Sequence, residues 1–346
     1  MGLHLVTGGS GFVGSNIARL LCERGESVRV FDLWCDETQK DAIEFVKGDI
    51  MDRESVEKAM RGVDYVHHNV ALVPLTKAGH RFHEVNVGGT KIALEAARKE
   101  GVKMFAHMSS SAIFGSPNSM PITSGTPLRP IEIYGRAKCE ADILVRKAGE
   151  EGMKVSMIRP RTIVGNGRLG IFEILFDWIR DEANIFIIGS GNHLFQFVHN
   201  DDLCEVSIQT CLQERPGAYN VGTDRFNSLR EDLGMLIAHA RSRSKIKSLP
   251  VGPTIATLSI LDKLGMSPLG PWHYLTYHKP FYFDSTPVTE ALGWKPKFSN
   301  QEILTGAYDW FTANFEAEKA CNHTSMHKKP VKQGILRLIK KTSRLI

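Results

Sequence analysis

No run of about 18 apolar residues occurs anywhere in the 346-residue chain, so no segment reads as a membrane-spanning helix. The chain starts directly in a strand pattern, with no basic, apolar and small-residue leader, and the expected location is cytoplasmic. The six cysteines (22, 35, 139, 204, 211 and 321) form no C-x-x-C pair and keep no metal spacing with histidine. They read as reduced thiols, and no metal site is expected. A basic body is also lacking. Residues 321–346 hold seven Lys/Arg and no Asp/Glu, so taking them from the net charge of +5 leaves −2 for the rest. That argues against nucleic acid as a partner. The composition is otherwise that of a globular protein large enough for one big domain or two lobes.

What is there begins with residues 1–32. His4-Leu5-Val6 reads as a short strand and Thr7 to Gly14 as a glycine-rich turn. Ser15 to Glu23 carries Ile17, Leu20 and Leu21 at helical spacing, and Gly25 closes that helix. Val28 to Phe31 is a second strand ending in Asp32. Glycines at such a turn allow a tight bend, close approach to a pyrophosphate and close helix–strand packing. The helix N-terminus supplies free N–H groups to phosphate. Asp32, 18 residues after Gly14, suits the hydroxyls of an adenosine ribose and would repel a 2′-phosphate. With no Arg or Lys in the turn and Leu33 next, the expected cofactor is NAD rather than NADP.

The alternation continues through strands at 44–50, 64–68, 103–109 and 154–159 and helices at 53–61, 82–99 and 133–147, with a loop at 115–130. This predicts an α/β fold, a Rossmann-type doubly wound parallel sheet with ligand at the strands' C-terminal ends. From about Thr162 the pattern loosens into a smaller C-terminal substrate-binding lobe. The expected division is 1–161 with 196–223 returning to it, against 162–195 with 224–320, and then a basic tail at 321–346. Within the second part, residues 249–283 are unusually apolar, which suits core, an oligomer contact or a pocket wall.

Tyr134 and Lys138 stand at i and i+4 on one helix face. A free phenol has a pKa of about 10 and is a poor base near neutrality. An ammonium one turn away, with a positive nicotinamide ring, favours the phenolate. The serines at 109–111 end the preceding strand, where a hydroxyl could share a substrate proton with Tyr134.

Together these residues resemble an extended short-chain dehydrogenase/reductase of the NAD-dependent epimerase/dehydratase kind, similar to nucleotide-sugar epimerases such as the UDP-galactose 4-epimerases. The match runs from Met1 to about Phe311, through TGGSGFVG, Asp32, Gly48-Asp49-Ile50, Asn69-Val70-Ala71, VNVGGT, SSSAIFG, YGRAK, RPRTIVG, QFVHNDDL, YNVG and LGWKP. The resemblance implies that Gly8, Gly11, Phe12, Val13 and Gly14 hold the pyrophosphate, Asp32 and Leu33 the ribose, and Asp49 and Ile50 the adenine. Ala71 lines the cofactor. Tyr134 is the acid/base and Lys138 its partner. Ser110 is the catalytic hydroxyl, with Ser111 its competitor. Pro160 and Thr162 flank the nicotinamide and the substrate entrance, and Thr162 stands where sugar-nucleotide members usually carry Asn. His199 and Asp201 read as polar caps at a strand-to-helix turn.

Sugar dehydratases of this family carry Thr-Asp-Glu where this chain has Ser110-Ser111-Ala112, so elimination is disfavoured. The expected reaction is epimerisation of a nucleotide sugar through a keto intermediate. The alternative is oxidation of a hydrophobic alcohol, in the manner of the 3β-hydroxysteroid dehydrogenases. Few basic residues are available for a diphosphate: Arg168, Arg225, Arg230 and Arg241. The resemblance further implies a homodimer built on the helices at 82–99 and 133–147. Residues 334–346 read as a basic amphipathic helix suited to peripheral contact with anionic lipid.

Overall fold

The computed structural model describes residues 2–36, 38–76, 78–167, 169–265, 267, 269–320 and 336–343. Arg168, Met266, Cys321 and most of the basic tail thus lie outside the described residues. The strands are β1 (Leu3–Thr7), β2 (Ser27–Asp32), β3 (Glu44–Lys47), β4 (Tyr65–His68), β5 (Met104–Met108), β6 (Val155–Pro160), β7 (Thr162–Val164), β8 (Ile185–Ile188), β9 (Phe197–His199), β10 (Gly217–Val221) and β11 (Ile246–Leu249). Seven of them form one parallel sheet in the order β3-β2-β1-β4-β5-β6-β10. Every residue of β5 and β6 is buried, as expected for central parallel strands covered on both faces. The order reverses between β1 and β4, and sheets of this kind take their ligand at that switch point, at the strands' C-terminal ends.

Helices cover both faces. The first six are α1 (Phe12–Glu23), α2 (Arg53–Met60), α3 (Arg81–His83), α4 (Gly89–Glu100), α5 (Ile133–Glu150) and α6 (Phe172–Arg180). After them come α7 (Asn200–Leu212), α8 (Leu229–His239), α9 (Val251–Lys263), α10 (Pro271–Thr276), α11 (Thr286–Leu292), α12 (Asn300–Ala320) and α13 (Leu336–Ser343). Helices α1 and α7 pack together and bury Ile17, Leu21, Cys204 and Ile208 against Val6 and Val30. Helices α2, α4 and α5 enclose a second core around Leu5, Phe105 and Val145 on the other face. Each fully buried Leu or Ile here contributes about 1.5–3 kcal/mol.

Two expected elements differ. The strand at 44–50 stops at Lys47: Gly48 N–H makes the last rung to the Asp32 carbonyl (3.0 Å), and beyond it the chain turns, with the Asp49 carboxylate accepting from Met51 N–H. The helix expected over 82–99 is interrupted by a π-helical turn at Glu84–Gly88. Inside that turn the Asn86 carboxamide grips both the N–H (2.8 Å) and the carbonyl (3.1 Å) of Leu72. A Cβ on Gly89 would lie 2.9 Å from Ile50, so the wide turn and the glycine together let α4 settle on the sheet.

Beyond Pro160, β7 pairs with β9 and β8 with β11. These strands join α6, α8, α10 and α12 around one large core that includes Phe172, Phe176, Trp178, Phe195, Trp272 and Phe281. The apolar stretch 249–283 serves two ends. Trp272, Tyr274, Phe281 and Phe283 are buried, while α9 buries none of its residues and lines a cavity.

Candidate active site

The glycine turn is held by backbone contacts that side chains would break. Gly8 has φ +68°, and a Cβ on Gly14 would stand 2.2 Å from the Gly8 carbonyl oxygen. Gly11 begins α1 with no side-chain cap, and no acid sits in the first turn, which leaves that N-terminus open to an anion. The carbonyls of Phe12 and Val13 anchor the turn to α7 through Asn200 and Cys204. Asp32, at the end of β2, accepts from Ser10 N–H (3.0 Å) and Leu33 N–H (2.7 Å). Burial pushes its pKa up, and those N–H groups oppose the shift. Leu33 is exposed, Ile50 is buried under Gly89, and Asp49 is exposed. Ala71 lies in the loop after β4, and Pro160 ends β6 opposite Val221. The turn, the uncapped helix and the fixed carboxylate fit an adenine dinucleotide.

The second cluster forms where β5 meets α5. Beyond Met108, Ser110 adopts an extended backbone and caps a 3-10 turn, Ser111–Phe114, its hydroxyl accepting from Ala112 N–H (3.2 Å). Helix α5 begins at a half-buried acid, where the Glu132 carboxylate accepts from both Tyr134 N–H (2.7 Å) and Gly135 N–H (2.6 Å). A Cβ on Gly135 would lie 2.9 Å from the Ala112 carbonyl oxygen, so the glycine brings the first turn of α5 onto the serine turn. Tyr134 is half-buried and meets Phe82 edge-on. Lys138, one turn further on, is buried and donates to the Met108 carbonyl (2.6 Å). Burial lowers its pKa to about 8, and the Asp142 carboxylate opposes the shift. Ser110 is half-buried, whereas Ser111 is buried with its hydroxyl 3.4 Å from Arg161 Nη1. The structure thus separates the two serines.

Several participants were not singled out from the sequence. Asp142 stands four residues beyond Lys138 on α5 and takes a bidentate pair from Arg159 (3.0 and 2.7 Å) and a hydrogen bond from Ser109 (2.6 Å). This buried network ties α5 to the ends of β5 and β6, and the spacing 134, 138, 142 was its signal. Glu132, the acid just before the YGRAK segment, was legible in the same way. Of the expected substrate residues, Thr162 faces Tyr277 (Oγ1 to Oη, 3.5 Å). Arg230 instead binds the Ser190 carbonyl and the Ser248 hydroxyl (2.6 Å each), bracing the ends of β8 and β11. His199 caps α7 and Asp201 accepts from Asn16, which joins α7 to α1.

A cavity of about 570 Å³ lies in the C-terminal half, walled almost entirely by apolar side chains such as Phe172, Trp178, Leu233, Leu258, Tyr274 and Tyr277. Leu336 and Ile339 of α13 complete the wall. Lys340 of that helix is buried between Asp177 (2.5 Å) and Asp181 (2.8 Å).

A family model described as the NAD-dependent epimerase/dehydratase family matches residues 4–222. The chain belongs to that family. Its use of NAD follows, and the glycine turn, the uncapped N-terminus of α1 and the fixed Asp32 carboxylate agree with it. A relative described only as uncharacterised protein y4nG, from Sinorhizobium fredii, is 42% identical over 99% of this chain and 86% of its own length. A 3β-hydroxysteroid dehydrogenase/Δ5→4-isomerase of Mycobacterium tuberculosis is 27% identical over 92% of this chain and 93% of its own. The fold is that of the UDP-glucose 4-epimerase of Thermotoga maritima, solved with UDP-glucose (TM-score 0.74, 24% identity, 90% of this chain and 99% of that one).

Proposed function

We propose that this family member is an NAD-dependent oxidoreductase acting on a secondary alcohol, or the matching ketone, of a substrate with a large apolar body. The apolar cavity beside Tyr277 and Thr162 carries this reading. Ser110 and Tyr134 hold the substrate hydroxyl. Tyr134 takes its proton as general base, and the Lys138 ammonium stabilises the phenolate. Bound NAD supplies the acceptor for the hydride from the carbinol carbon, so the alcohol becomes a ketone. In the reverse direction Tyr134 returns the proton to the carbonyl oxygen.

Epimerisation of a nucleotide sugar is the second reading, since Ser110, Tyr134 and Lys138 would serve it without an added acid. Two of the four arginines expected for a diphosphate weigh against it. Arg225 is engaged by the Lys297 carbonyl and Glu302, and Arg230 by Ser190 and Ser248. Cofactor retention separates the two. An epimerase keeps NAD through its cycle, whereas a dehydrogenase exchanges it. Full-length protein purified without cofactor, then denatured, should release far less than one NAD per chain, and a near-stoichiometric yield would favour the epimerase.

Three further readings belong here. The two-lobe division (1–161 with 196–223, against 162–195 with 224–320) is supported by the large core around Phe172, Trp178 and Leu233, to which Ile113, Phe114 and Ile122 of the first part also contribute, while Val288, Leu292 and Trp294 of the second part pack with β5 and β6. A homodimer through α4 and α5 is supported by Ile133 and Ile143, which are exposed on α5. Peripheral membrane contact through 334–346 would have to release Leu336, Ile339 and Lys340 from the cavity wall and the aspartates.

A further inference from the structure

Arg161 is a buried charge that meets no carboxylate among the described residues. It is 2% exposed and lies one residue before Thr162. Its backbone N–H is fixed by the Val221 carbonyl (2.9 Å). Its guanidinium carbon stands over the rings of Phe281 (4.2 Å) and Phe195 (4.7 Å), which lock the plane. Nη1 reaches the Ser111 hydroxyl at 3.4 Å, and Nε and Nη2 have no hydrogen-bond partner. Those two nitrogens share one edge of the guanidinium, the edge that takes a carboxylate in two parallel hydrogen bonds. Arg159, two residues earlier on β6, uses this same pair of atoms on Asp142. At Arg161 the fork is held by the two rings and shielded from solvent, and no carboxylate of the described residues meets it.

A buried cation left without a partner is costly, and a protein rarely keeps one unless something fills the gap. Burial lowers the Arg161 pKa to about 9, and nearby Tyr277 opposes the shift. Tyr277 also lines the apolar cavity and reaches Thr162, so one residue borders the cavity, the cation and the substrate entrance. Ser111, the other neighbour of the cation, directly follows Ser110.

We propose that Arg161 is an anion subsite for a substrate carboxylate lying next to the reacting carbinol carbon. The substrate class is then a hydroxy or keto acid with an apolar body: the body in the cavity, the carboxylate on the Arg161 fork, the hydroxyl at Ser110 and Tyr134. The position of the carbinol rests on the function proposed above, whereas the anion subsite stands on Arg161 alone.

The test uses the NAD-saturated full chain and needs no turnover. Thermal stability is followed against benzoate and acetate, with benzamide and acetamide as uncharged controls of the same shape. The carboxylates should raise the melting temperature saturably and the amides should not. Arg161→Met should weaken carboxylate binding about 10–100-fold, the range expected for charge-assisted hydrogen bonds. Arg161→Lys, which keeps the charge and loses the fork, should fall between. Equal effects of acid and amide on the unmodified protein would overturn the proposal without recourse to any variant. So would undiminished carboxylate binding by Arg161→Met. A carboxylate response in a protein that oxidises no hydrophobic alcohol would keep the subsite and reject the reaction.

Discussion

Asp142→Asn is the most informative single change. Asp142 and Arg159 are buried, with side chains 1% and 6% exposed, and the pair is bidentate at 2.7 and 3.0 Å. Breaking a buried pair by removing one partner leaves the other charge uncompensated and costs about 3–5 kcal/mol. Asn keeps one acceptor, so Ser109 need not lose its bond and the lower end of that range is expected. Replacing both members by apolar residues, Asp142→Leu with Arg159→Leu, removes the stranded charge and should cost less than the single change. Urea unfolding at constant slope reads both. A second effect follows through Lys138. Asp142 is the group that opposes the lowering of the Lys138 pKa, so its neutralisation moves that pKa below about 8. Lys138 then loses its proton at lower pH, and the alkaline limb of kcat/KM shifts to the acid side. A single variant costing under about 1 kcal/mol, or a double variant as costly as both singles together, would refute the account of the network.

Other predictions concern different parts of the molecule. Gly14→Ala forces a Cβ to within 2.2 Å of a carbonyl oxygen that cannot yield without backbone movement. It should cost about 1–3 kcal/mol and weaken NAD binding, as read by calorimetry; unaltered affinity would contradict the role of the turn. Acid should destabilise the protein early. His4 and His68 are held by burial near pKa 4 and 3, so below the unfolded value of 6.5 the unfolded chain binds protons the folded one does not. Stability is full above pH 6.5 and falls as pH drops, by about 4 kcal/mol for the two between pH 7.5 and 5; a flat profile in urea titrations would count against it. Deleting 321–346 should open the apolar cavity, raising binding of a fluorescent apolar dye; no change would show that α13 does not close it. Equal pelleting of full-length and 1–320 protein with anionic liposomes would dismiss membrane contact by the tail.

The Rossmann half was legible because its signals are local. The glycine turn, Asp32 and the 134/138 pair each sit within one strand–turn–helix unit, where spacing alone dictates geometry. The break in the 82–99 helix was not, since it depends on Asn86 meeting Leu72 and Gly89 meeting Ile50, contacts made across the fold. Arg161 escaped for the same reason. Its environment is assembled from Phe195, Phe281, Ser111 and Tyr277, which are scattered through the sequence. Residues 249–283 showed their apolar character but not their division into buried rings and cavity wall, because α9 lacks a clear buried stripe.

The central claim is net hydride transfer from a hydrophobic carbinol, with Tyr134 as base. Its most direct test is NADH formation by the full-length protein given NAD and a panel of hydrophobic secondary alcohols, with UDP-glucose and UDP-galactose alongside. The account predicts NADH from the apolar alcohols, a drop of about 10²–10⁴-fold on Tyr134→Phe, and no interconversion of the UDP-sugars. Interconversion of the UDP-sugars, with no NADH from any apolar alcohol, would contradict it.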